Sequence, residues 1–204
     1  MLQTRTFCLL VTLGLIFVPA LEGAQQPKIQ GTWTRVTTSH FTVFSNANPE
    51  ATQRIALDLE RFSQVLAQTL NAKKTTTPSE MTVYVFRSTR SFERYLPTAL
   101  KKRSIGGFHV SAQDGNLFVI DGDSWDDYRH ILFHEYMHDM LRRNYRPLPL
   151  WLSEGLAEYY SSFRLEGSTV HIGRPIEAHA NTLRSRGMIP IERLLAIDEH
   201  SDEY

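Results

Sequence analysis

Residues 125–163 read WDDYRHILFHEYMHDMLRRNYRPLPLWLSEGLAEYYSSF. From Trp125 to about Arg143 the stretch is apolar on several faces and predicts a long helix. Pro147 and Pro149 break the chain, and a second helix is predicted from about Leu150 to Phe163. Within the first helix stands His134-Glu135-Tyr136-Met137-His138, an H-E-x-x-H arrangement. Residues four apart share one helix face, about a turn apart, so the two imidazoles can converge on one ion. Glu135 points roughly 100° away around the helix, where it can reach a metal-bound water without ligating. The surrounding residues Tyr128, Ile131, Leu132, Phe133, Met137 and Leu141 are largely apolar, a setting in which idle histidines and a glutamate are costly.

Two histidines alone do not complete a catalytic zinc site. The metzincin extension needs glycine and histidine where Leu141 and Asn144 stand, so that class is excluded. The best third ligand is Glu154, in Trp151-Leu152-Ser153-Glu154-Gly155, on a helix that can fold back beside the first. Glu158 lies four positions later on the same face and can accept a hydrogen bond from a ligand histidine's distal nitrogen. The competing reading makes Glu154 and Glu158 a solvated acidic stripe. His130 shares the face of His134 and is read as a structural or supporting residue. His40, His109 and His200 are read as surface or satisfied histidines.

Upstream, Trp33 to Val36 and His40 to Phe44 alternate apolar and polar residues, as two short strands do. Asn48-Pro49-Glu50 opens a helix that runs to about Leu70. Met81 to Phe86 is a strand and Ser91 to Leu100 a short helix. Phe108-His109-Val110 and Asn116 to Ile120 are strands joined by a turn at Gln113-Asp114-Gly115. Asp123 and Ser124 are cap candidates for the motif helix. Downstream, Thr169 to Ile172 reads as a strand; Glu177 to Arg186 and Ile191 to Ala196 read as helices. Strands gathered early and helices late predict an α+β fold, a small mixed or antiparallel sheet packed on helices.

The whole chain has 204 residues, 42% of them hydrophobic, and its 22 Lys+Arg balance 22 Asp+Glu. Such a chain is neither wholly disordered nor a nucleic-acid binder acting through a basic surface. The segment Phe7 to Val18, FCLLVTLGLIFV, follows Arg5 and precedes the small residues Ala20, Gly23 and Ala24. That order predicts a signal peptide over residues 1–24, cleaved after Ala20 or Ala24, and one domain over 25–204. An uncleaved anchor is the alternative; the run is short for a bilayer and ends at Pro19. The expected location is secreted, periplasmic or cell envelope, with no membrane span after cleavage. The only cysteine, Cys8, lies in the leader, so the mature chain has no disulfide or thiol chemistry. The final run Asp198 to Tyr204 has no obvious structural terminator and reads as the edge of a fragment.

H-E-x-x-H followed by W-L-x-E-G resembles the gluzincin metallopeptidases. More narrowly, the chain resembles the bacterial peptidase MA-like domain family. The likeness takes in Trp33, His40-Phe41, Met81 to Phe86, Gly106-Gly107-Phe108, His134 to His138 and Pro149 to Tyr159. It implies a zincin-like fold, one zinc held by His134, His138 and Glu154, and Glu135 as general base. It implies a peptide or protein substrate, and Asn116 to Ile120 as either the edge strand that pairs with that substrate or a core strand. It further implies a downstream tyrosine or histidine that stabilises the oxyanion. Tyr159, Tyr160, His171, His179 and Tyr204 are available, and no spacing singles one out. Two other readings keep the same sequence: a non-catalytic zinc- or peptide-binding module of the envelope, and a structural envelope protein without metal.

Overall fold

Alternation near the start of the chain becomes a hairpin, β1 (Thr34–Thr37) paired antiparallel with β2 (Thr42–Ser45). A computed structural model describes residues 32–73, 81–97, 100, 105–112, 115–122, 125–198 and 200–201. The segment 1–24 expected to be a signal peptide, the expected turn residues Gln113 and Asp114, the cap candidates Asp123 and Ser124, and Tyr204 lie outside the described residues.

Asn48 starts α1 (Pro49–Thr69): its side chain accepts the Ala51 N–H at 2.7 Å. Pro49 occupies the first turn, where a missing N–H costs nothing. Ile55, Leu59, Phe62 and Leu66 recur at helical spacing and are fully buried. Phe62 stacks on Phe133 of the motif helix with ring centroids 4.3 Å apart. Truncating such a buried ring costs about 3–5 kcal/mol, so this contact does much to seat the motif helix.

The chain returns as β3 (Met81–Phe86), parallel to β2. The helix expected over Ser91 to Leu100 is instead α2 (Thr89–Glu93). Ser88 starts it early through a reciprocal cap: the Ser91 N–H donates to Ser88 Oγ and the Ser88 N–H donates to Ser91 Oγ. It stops early because Tyr95 and Leu96 donate to the carbonyls of Phe92 and Glu93 in tight turns, and Pro97 has no N–H to offer the Glu93 carbonyl. Next come β4 (Gly107–Ala112) and β5 (Gly115–Asp121), an antiparallel pair. Gly115 opens β5 at φ 134°, a conformation that glycine alone adopts easily.

The five strands form one mixed sheet in the order β1-β2-β3-β5-β4. The edge-strand reading of Asn116 to Ile120 is therefore corrected. β5 lies inside, parallel to β3 on one side, because the hairpin turns β4 outward to form the edge. On one sheet face Val83, Val85, Phe118 and Ile120 pack with α1, α3 (Trp125–Asn144) and α4 (Leu150–Ser161). On the other, Phe86 and Val119 pack with Phe92, Leu96 and Leu100.

The second motif helix ends at Ser161 rather than Phe163. Ser161 and Ser162 donate from Oγ to the carbonyls of Glu158 and Tyr159, closing the last turn. Phe163 then leads into β6 (Arg164–Glu166), which no sequence signal predicted, paired with β7 (Thr169–His171) around Gly167. Two helices follow, α5 (Glu177–Arg186) and α6 (Ile191–Ala196). The architecture is mixed α+β, with six helices among the described residues. No helix among them is long and apolar enough to cross a membrane.

Candidate metal centre

The two motif helices pack as an antiparallel pair joined through Pro147 and Pro149, and their facing sides carry the polar cluster. On α3 the helical repeat puts His134 and His138 one above the other, with Nε2 atoms 3.0 Å apart. From α4, Glu154 places Oε2 3.3 Å from His134 Nε2 and Oε1 3.5 Å from His138 Nε2. One ligand atom from each of the three residues lies within 4.8 Å of the other two, so the group could hold a metal ion. Two ligands about 2.0–2.1 Å from a tetrahedral ion stand about 3.3–3.4 Å apart, close to the separations seen here.

The outer nitrogens of both imidazoles are also engaged. His134 Nδ1 lies 3.3 Å from Glu158 Oε1, and His138 Nδ1 lies 3.1 Å from Ser153 Oγ. Glu158, when ionised, can only accept, so His134 Nδ1 carries a proton, and Nε2 is the nitrogen that offers a lone pair to an ion once its own proton has left. At 3.0–3.3 Å from a carboxylate and a second imidazole, Nε2 needs a proton or a metal ion between it and them, and the mutual spacing of the three ligand atoms suits the ion. The donor set therefore fits a metal ion.

The same arrangement governs proton affinity. Burial pushes the His134 imidazole down, but hydrogen bonds to Glu154 and Glu158 outweigh that and raise it from 6.5 to about 9. Burial would raise the Glu154 carboxyl, and its hydrogen bonds to His134 and His138 instead bring it down from 4.5 to about 2. Glu158 is likewise held below its ordinary value, against burial, by the His134 hydrogen bond and by the charges of His134, His179 and His130. Each carboxylate here stays ionised, as cation binding requires.

Glu135 is not one of the three converging residues. Its Oε2 meets His109 Nδ1 at 3.2 Å, a contact from the edge strand β4 that the sequence reading did not find. Burial raises the Glu135 carboxyl, but the His109 hydrogen bond and the charges of His109, His134 and His138 bring it below its ordinary value. The His109 ring stacks on Phe118, with centroids 4.5 Å apart, and its Nε2 lies 3.2 Å from Asn116 Oδ1. The only sequence sign of this was a histidine on the hairpin just before the motif helix. Ser153 was missed too, although it directly precedes Glu154 in W-L-S-E-G.

Other candidates sort by position. His40 is satisfied by Glu60, Nδ1 to Oε1 at 2.8 Å. His130 acts on Glu158 through its charge but is not among the three converging residues. Among the five downstream tyrosines and histidines, Tyr160 is buried, Tyr159 is exposed and His171 lies 3.4 Å from Glu166. His179, on α5, comes within 3.5 Å of Glu158 and is the one drawn to the site's carboxylates among the described residues. No family model, curated protein or solved structure matches this chain.

Proposed function

We propose that this chain is an exported zinc-dependent peptidase with a zincin-like fold of the gluzincin type. The observation that carries the reading is the convergence of His134, His138 and Glu154 beside a Glu135 that stands outside that group. A structural metal site has no use for such a base. Two imidazoles and one carboxylate form a donor set suited to zinc, with a position left for water or substrate. The apolar leader pattern, Phe7 to Val18, supports export.

An ion held there supplies Lewis acidity and lowers the pKa of the water it binds. The chain's own residues divide the remaining work. Glu158 and Ser153 fix the rings of His134 and His138 through their outer nitrogens. Glu135, ionised, takes a proton from the attacking water and delivers it to the departing amine. The substrate class is a peptide or protein.

Native mass spectrometry with peptide-cleavage screening tests the reading. One zinc per chain is expected, lost in Glu154→Ala; Glu135→Gln should keep the zinc and lose cleavage. A wild-type chain that takes up no zinc when supplied with it overturns the proposal.

A further inference from the structure

His109 stands at one end of a directed chain of hydrogen bonds. Arg143 Nε donates to Asp139 Oδ2 at 2.8 Å, which marks Asp139 as an ionised acceptor. Asn116 Nδ2 donates to Asp139 Oδ1 at 3.1 Å, so the Asn116 carbonyl oxygen must face the other way. That oxygen lies 3.2 Å from His109 Nε2 and can only accept, so Nε2 carries a proton. The remaining ring nitrogen, Nδ1, faces Glu135 Oε2 at 3.2 Å. With Nε2 donating to Asn116, the Nδ1–Oε2 contact is a hydrogen bond when a proton is shared between those two atoms.

We propose that His109 is a positioning residue for Glu135. The hydrogen bond between His109 Nδ1 and Glu135 Oε2 fixes the carboxylate and leaves its other oxygen to take the proton of the attacking water. Stacking on Phe118 holds the ring at its back, so the imidazole cannot swing away from Glu135 without breaking that contact. The orientation of the base thus originates in α3 itself, at Arg143, and returns to it through β5 and β4. This role rests on the peptidase reading; the hydrogen bond does not, which lets the two fail separately.

The test uses the full chain loaded with zinc, with imidazole nitrogen NMR as the first readout. In wild type, His109 should show protonated Nε2 and a hydrogen-bonded proton at Nδ1. In Glu135→Gln the amide can donate to Nδ1, so that signal should change to an unprotonated nitrogen while Nε2 stays as it was. Cleavage of fluorescein-labelled casein is the second readout. His109→Ala should lower kcat about 10–100-fold with KM and zinc content unchanged, and His109→Gln, which keeps a donor, should recover part of the loss. Identical His109 spectra in wild type and Glu135→Gln would overturn the proposal, even if neither His109 variant folds. A rise in KM with unchanged kcat, or loss of zinc, would also overturn it. If wild type leaves casein intact while the spectra respond to Glu135→Gln, the peptidase reading falls and the His109–Glu135 bond stands.

Discussion

Ser63 Oγ and Tyr136 Oη, 73 positions apart in the chain, share a buried 2.8 Å hydrogen bond between α1 and α3. Tyr136 is one of the two unspecified residues of H-E-x-x-H, and its ring also packs on Phe41 and Phe62. The residue between the chemical positions thus turns the helix so that His134 and His138 face α4. Tyr136→Phe leaves the Ser63 hydroxyl without this partner, so it should destabilise the fold by about 1–3 kcal/mol in denaturant titration. The double variant with Ser63→Ala should recover part of that loss, because no hydroxyl is then stranded. Zinc stoichiometry should not change in either.

Glu158 and Ser153 touch the histidines on the side away from the cluster. Glu158→Gln should weaken zinc binding about 10–100-fold, read by competition with a chromogenic chelator, while one zinc still binds at excess metal. Ser153→Ala should weaken it less, since a neutral hydroxyl is a weaker partner than a carboxylate. Equal affinities in wild type and Glu158→Gln would remove Glu158 from the site.

How much of this was legible depends on how local each feature is. The spacing of His134 and His138 maps onto one face of a helix, and the prolines before Leu150 mark where the chain turns back toward them. Those readings need only the helical repeat, and the structure brings Glu154 to the inner nitrogens of the two histidines and Glu158 to the outer nitrogen of His134. His109 reaches Glu135 only because β4 is the outer strand and pairs His109 with Phe118, a register that tertiary packing decides. The β6 strand was missed because Phe163 continues the apolar pattern of α4 across a boundary set by two serine hydroxyls. The short α2 reflects a cap at Ser88 competing with the apolar pattern that runs on to Leu100.

Metal uptake should release protons. His134 holds its proton up to about pH 9 in the metal-free chain, so a metal must displace it at neutral pH. For one displaced proton, apparent zinc affinity should fall about tenfold for each pH unit below that value. Calorimetry in buffers of different ionisation enthalpy measures the proton count directly. Zinc binding without proton release near pH 7 would contradict this account.

The chelator-treated chain should show its own pH dependence. His134, raised from 6.5 to about 9, contributes stability that is full below 6.5 and lost as pH rises through about 9. Glu154, lowered from 4.5 to about 2, contributes stability that is present above 4.5 and lost as pH falls through about 2. The pair therefore helps most between pH 4.5 and 6.5. Denaturation midpoints across pH should narrow toward those of Glu154→Gln at both extremes.

Gly122 closes β5 against the backbone of β3. A Cβ there would lie 2.7 Å from the Phe86 carbonyl oxygen and 2.8 Å from Val85 Cγ1. The carbonyl belongs to an inner strand and cannot retreat cheaply. Gly122→Ala should cost about 1–3 kcal/mol, seen as a lowered Tm. An unchanged Tm would mean that β3 yields there.

The three converging residues all come from one helix–turn–helix unit, whereas the partner of Glu135 comes from the far edge of the sheet. The two arrangements can therefore be damaged separately. A change confined to the outer strand β4 can remove the partner of Glu135 while all three converging residues keep their places on α3 and α4.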